Sequence, residues 1–254
     1  MPAIVRVTLA PATLHHDRTW HDTGPAVQAA FLHAVRRTDP RTAEHLHDAP
    51  GPRPYSISPL LGTNTAEHAR GIRIGLLDDR LIPTVVTAME TNVAWRIGNS
   101  TFTVDDLAVA AVHWTDLYIP SDNARWRMTM LTPTALRWKT RTTETIWPFP
   151  EPRALLDSLA RRWNTHATNP IEPDDIEDAK NTTNITAAEL TITPHLTVPP
   201  RGTRNGATTD GALGWVRFET EAPTTVAKLL ALAYFAGAGS QTTKGMGVVD
   251  ITAI

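Results

Sequence analysis

The chain has 254 residues, 41% of them hydrophobic, which is enough for one large or two ordinary globular domains with a real core. It contains no cysteine, which excludes disulfides, thiolate metal sites and cysteine nucleophiles, and its net charge of −2 gives no overall attraction for a polyanion. No apolar run reaches the ~20 residues that span a bilayer, and Met1 to Ala10 lacks the pattern of a signal peptide, so a cytoplasmic location without membrane contact is expected.

In chain order, Val5, Val7 and Leu9 alternate as one face of a strand. A helix follows, with Pro25 in its first turn and Val27, Ala30, Phe31, Ala34 and Val35 along one stripe. Tyr55 to Leu60 and Gly71 to Leu77 carry strand signals, Ile82 to Met89 reads as a short helix, and Trp95 to Val112 is extended. The pattern breaks at Pro120, Ser121, Asp122 and Asn123. It resumes with Trp126, Met128 and Met130 alternating against Arg127 and Thr129, the period of a half-buried strand. Pro152 opens a helix whose Leu155, Leu156, Leu159 and Trp163 form its stripe. Asn164 to Thr186, rich in Pro, Asn, Asp and Thr, reads as a long mobile connection. Glu189 to Val198 and Leu213 to Thr220 are predicted strands, separated by a glycine-rich, arginine-bearing segment from Arg201 to Gly214. Val226, Leu229, Leu230, Ala233 and Tyr234 have helical spacing, and Val248, Val249 and Ile251 make a final strand.

This order is β-α-β-β-α-β in the second half, and the first half begins the same way. The predicted class is α+β, with tandem ferredoxin-like (βαββαβ) domains at 1–120 and 121–254 and a C-terminal glycine-rich loop. In such a unit two helices cover one face of the sheet, and the other face is expected to stay free for a ligand.

Charge is unevenly placed. Arg125, Arg127, Arg137, Lys139 and Arg141 lie close together, while Glu172, Asp174, Asp175, Glu177 and Asp178 form an acidic run read as solvated surface. His15, His16, Asp17, His21 and Asp22 read as a polar loop before the first helix, with metal binding the weaker alternative. His45 and His47, two apart, would project to the same side of an extended loop, but no third ligand of suitable spacing accompanies them. No metal or other cofactor is expected.

Between the last helix and the last strand, Gly237, Gly239, Gly245 and Gly247 form two Gly-x-Gly pairs around Ser240 and Lys244. Glycine lets a backbone approach a phosphate, and Lys244 adds charge; a helix C-cap at Gly237 followed by a tight turn is the competing explanation. A Walker loop or dinucleotide fingerprint runs from strand to loop to helix, whereas this segment runs from helix to loop to strand. Trp138 and Trp147 can stack on bases or pack beside prolines.

An apolar helix running into Gly-Ala-Gly-x(5)-Gly-Met-Gly and a short last strand resembles the C-terminal loop of the repeat-associated (RAMP) superfamily of CRISPR proteins. Leu46-His47 ahead of Gly51-Pro-Arg-Pro-Tyr-Ser-Ile-Ser-Pro-Leu60, then Leu131-Thr-Pro-Thr134, Trp147-Pro-Phe-Pro150, Arg162-Trp163-Asn164 and Gly211 to Val216 follow in the order seen in the ribonucleases that cut precursor CRISPR RNA within its repeats. The resemblance implies tandem ferredoxin-like domains and metal-independent cleavage by the RNA's own 2′-hydroxyl. It places the general acid/base histidine at His47, with His45 two residues away as the alternative. Arg53 falls at a position for stabilising the scissile phosphate, and His33 lies near that of an assisting tyrosine. The glycine loop is implied to bind RNA; by their charge and position Arg137 and Lys139, and Arg201 and Arg204 between two strands, are read as further RNA contacts, with solvated surface the alternative. Repeat RNA is the implied partner, with a Cas effector complex and a homodimer as further partners left open. The rival reading is a RAMP subunit that holds crRNA without cutting it.

Overall fold

The computed structural model describes residues 1–13, 23–48, 50–62, 70–92, 94–139, 144–198 and 206–254. The His15 to Asp22 cluster, Arg141, Arg201 and Arg204 lie outside them.

Strand β1 (Ala3–Thr13) buries Ala3, Val5, Val7 and Leu9 against α1 (Gly24–Thr38), whose inner stripe is Val27, Phe31, Ala34 and Val35. The chain continues through α2 (Pro40–Asp48), β2 (Tyr55–Ile57), β3 (Arg70–Leu76), α3 (Ile82–Thr91), β4 (Ala94–Ile97) and β5 (Ser100–Ala111). These strands form an antiparallel sheet in the order β2-β3-β1-β5-β4. Apart from the added edge strand β4, this is the ferredoxin-like order, with β1 central.

The second half repeats the plan more plainly. β6 (Arg125–Thr134) is followed by a hairpin, β7 (Leu136–Lys139) and β8 (Glu144–Trp147), then α4 (Pro152–His166) and α5 (Pro173–Thr182). β9 (Asn184–Val198), β10 (Ala207–Glu219), α6 (Pro223–Ala236) and β11 (Val249–Ala253) complete it, with sheet order β11-β6-β10-β9. Leu155, Leu156, Leu159 and Trp163 of α4 and the apolar stripe of α6 fill this second core, which Leu77, Trp114 and Leu117 also enter.

Three expectations need correction. The segment carrying His45 and His47 is a helix, not an extended loop: Asp39 accepts from the Arg41 and Thr42 backbone N–H groups, and Pro40 follows it. The stretch from Asn164 to Thr186 is no long connection but holds α5, with Asp174 and Asp175 in its first turn and Lys180 in its last. The glycine-rich stretch after residue 206 is the start of β10, paired with β9.

The sheet face opposite the helices is also not free in the first half, because the end of α6 rests on it. Arg73 stacks on the Tyr234 ring, 4.5 Å from its centroid, and donates to Asp250 (2.9 Å) and to the Val249 carbonyl (2.8 Å). Arg6 donates to the Tyr234 hydroxyl. Ser56 Oγ donates to the Phe235 carbonyl at 2.6 Å, directly above Gly75, where a Cβ would come within 1.8 Å of that same oxygen. Only a residue without a side chain lets the two halves meet this closely.

Two glycines of β3 separate this effect from ordinary strand propensity. At Gly71 an added Cβ would meet nothing nearer than the Val7 carbonyl at 3.8 Å. Gly75→Ala is expected to destabilise the protein by about 1–3 kcal/mol through overpacking, whereas Gly71→Ala should change stability by less than about 0.5 kcal/mol. Equal melting temperatures for the two variants would show that the halves do not need this contact.

Candidate active site

Between the halves lies a cleft of about 1290 Å³ lined by α1, the segment from Gly51 to Tyr55, α4 and the loop from Gly239 to Lys244. Its charge differs from that of the whole chain. Among the described residues Arg53, Arg137, Arg161, Arg162 and Lys244 line it against a single carboxylate, Asp157, which is engaged by Arg161 (3.3 Å) and Lys180 (3.5 Å). The local basic surface that a nearly neutral chain requires for a polyanion is therefore present.

His47 lies on this cleft, 62% exposed, with Nδ1 2.7 Å from Asp48 Oδ1. A carboxylate only accepts, so Nδ1 carries the proton and Nε2 is left for proton exchange. His45 does not accompany it: residues two apart on a helix point about 200° apart. His45 instead stands near His166. His33 is exposed on α1 and is not among the cleft residues.

Arg53 enters from the segment between α2 and β2. Its Nη1 is buried and has no hydrogen-bond acceptor among the described residues. Its neighbours are fixed across the cleft: His166 Nε2 lies 3.2 Å from the Pro52 carbonyl, and burial, followed by smaller opposing influences, holds that histidine below its usual pKa. Tyr55 is buried, and its hydroxyl accepts from Gln28 Nε2 at 3.1 Å; desolvation pushes the phenol up, so it remains protonated.

The glycines of the loop pack closely against the protein's own backbone. Gly237 caps α6, its N–H donating to Ala233 at 2.9 Å, which is the alternative the sequence left open. All four loop glycines have positive φ, between 72° and 91°, and Ser240 is buried with its Oγ on the Ala135 carbonyl. A Cβ on Gly239 would meet the Ala135 carbonyl oxygen at 2.2 Å, and one on Gly245 would meet the Gly24 Cα at 2.9 Å. The glycines therefore admit the protein's own backbone, and of the loop residues that line the cleft, Gly239 to Lys244, Gln241, Thr243 and Lys244 are the partly exposed ones.

Arg162 and His195 hold that loop, and neither role was anticipated. The Arg162 guanidinium donates to the carbonyls of Ala236 (2.6 Å), Gly237 (2.9 Å) and Gly239 (2.7 Å) and to Thr242 Oγ1 (3.3 Å). Burial, aided by Arg161, lowers its pKa to about 10, which leaves it charged at neutral pH. His195, wholly buried on β9, places Nε2 2.9 Å from the Lys244 carbonyl.

The basic cluster anticipated from the sequence is divided. Arg125 forms a two-point pair with Glu219, Arg127 stacks on Trp215 at 4.3 Å, and among the described side chains of the cluster Arg137 alone reaches the cleft; Arg141 and the side chain of Lys139 lie outside the described residues. Trp147 is 51% exposed on β8.

Residues 128–249 match the family model of the CRISPR-associated endoribonuclease Cas6. No curated protein matches at a significant level. Among solved structures, a Thermus thermophilus Cas6 product complex superposes with a TM-score of 0.81 at 22% identity, covering 99% of this chain and 100% of that one. A RAMP protein described as binding different RNA substrates follows at 0.70 and 15%, covering 98% and 99%. A Cas6-related protein from Pyrococcus furiosus reaches 0.67 at 16%, covering 99% of each chain. The family model therefore matches just under half of the chain, all of it in the second half, and the solved structures share the tandem fold over the full length.

Proposed function

We propose that the chain cuts CRISPR repeat RNA in the cleft between its halves, without a metal, leaving a 2′,3′-cyclic phosphate and a 5′-hydroxyl. In this reaction the 2′-oxygen attacks the adjacent phosphorus and gives up its proton, the P–O5′ bond breaks, and the departing 5′-oxygen gains a proton. His47, with Nδ1 committed to Asp48 and Nε2 turned to solvent, serves as the general acid or base. Arg53 faces the phosphorane. The observation that carries the reading is the buried Arg53 Nη1, which has no acceptor among the described residues, on the same cleft as His47. A guanidinium N–H that folding leaves unsatisfied is costly, and a phosphate oxygen provides the charge-assisted bond it lacks.

Further support comes from relatives solved as product and substrate-mimic complexes and from the excess of cations along the cleft. Arg137 and Lys244 are assigned to phosphate contacts at its rim. Lys139, Arg201 and Arg204 remain proposed RNA contacts from their charge and place in the sequence.

His47→Ala is expected to slow single-turnover cleavage by about 10²- to 10⁴-fold while affinity for repeat RNA stays near wild type. Arg53→Ala should slow it less completely, since the proton route survives. Normal cutting by the His47 variant would remove the histidine from the mechanism. A wild-type protein that binds repeat RNA and never cuts it would be a crRNA-holding subunit instead.

A single 2′-deoxy nucleotide immediately upstream of the cut should stop the wild-type reaction, because the attacking oxygen is gone. Excess EDTA should leave the rate unchanged. Loss of cutting in EDTA with recovery on adding one divalent ion would require a metal in the mechanism.

A further inference from the structure

We propose that Arg162 is a positioning residue that makes the C-terminus of α6 compatible with RNA, cancelling the negative end of that helix and holding the loop carbonyls on its own guanidinium. The proposal rests on the reading of the cleft as the RNA site.

The problem it solves follows from the fold. α6 ends at Ala236, and the residues from Gly239 to Lys244, a few positions later, line the cleft. A helix C-terminus carries roughly −0.5 of a charge together with carbonyls that lack helical partners, which is unfavourable beside phosphates. Helices commonly offset this with a basic residue in the last turn, as α1 does with Arg36 and Arg37 and α5 with Lys180. α6 has none.

Arg162 supplies the charge from α4. It takes the carbonyls of Ala236, Gly237 and Gly239, and among the described ion pairs it has no acidic partner, so its positive charge goes to those carbonyls. Its Nη atoms make four contacts, counting Thr242 Oγ1, and a guanidinium has only five N–H groups. No fork is left for a phosphate. Arg162 therefore acts through the loop, unlike Arg53 in the same cleft.

The test compares wild type, Arg162→Met and Arg162→Lys by thermal melting and by affinity for a uniformly 2′-O-methylated repeat oligonucleotide, which cannot be cut. At low salt the folded Met variant should bind at least about tenfold more weakly, with the deficit shrinking as salt screens the helix end. The Lys variant restores charge without the fork and should bind within about threefold of wild type, even if it melts earlier. With cleavable RNA, the Met variant should need more RNA for half-maximal rate and keep the rate at saturation within about threefold.

Wild-type affinity in the folded Met variant would overturn the proposal, because a purely structural staple changes melting and not binding per folded molecule. So would a Lys variant as weak as the Met one, and this second comparison against wild type decides the matter if the Met variant does not fold. If the wild type itself fails to bind the oligonucleotide, the reading of the cleft falls, and the proposal falls with it.

Discussion

The carbonyl end of α6 is the point on which the rest of this molecule depends. One of its oxygens, that of Phe235, takes the Ser56 hydroxyl above Gly75 and so joins the halves. The next ones, from Ala236 onward, take Arg162 and so set the course of the loop that forms one wall of the cleft. An apolar helix buried almost throughout could end in solvent; this one ends against two neighbours, each of which satisfies it. His47 and Lys244, contributed by opposite halves, face one cleft because of that shared terminus.

The cleft also shows how a chain of net charge −2 can serve a polyanion. Its acids are spent elsewhere or outward. Glu177 and Asp157 are tied to Lys180, and Glu219 to Arg125, while Asp174, Asp175 and Asp178 are exposed on α5. The arginines that matter to the cleft come from α4, β7 and the segment before β2, which are far apart in sequence. Net charge is a property of composition; local potential is a property of packing.

Much of the fold was legible because periodicity is a local signal. Val5, Val7 and Leu9 marked β1, and Leu155, Leu159 and Trp163 marked α4, because each set faces one core. The two helices that went unread, α2 and α5, bury only Ala43 and Leu46 in one case and Ala179 in the other, so they present almost no stripe to detect. Their starts were nevertheless written as Asp39-Pro40 and Glu172-Pro173, and every described α-helix has a proline in its first two positions. At the cleft, His47 and Arg53 were singled out through family resemblance to a known order of motifs. Arg162 and His195 could not be, since their partners are backbone carbonyls 74 and 49 residues away, and a carbonyl leaves no mark in a sequence.

The anchors of the glycine loop share one chemical property. Arg162 on Ala236, Gly237 and Gly239, and His195 on Lys244, are all nitrogen donors to carbonyl oxygens. A carbonyl does not titrate, the guanidinium keeps its proton up to about pH 10, and an imidazole Nε2–H donates whether the ring is neutral or charged. No carboxylate takes part in these bonds. The wall of the cleft is thus tied down without a salt bridge, by donors reaching backbone oxygens that belong to another part of the chain.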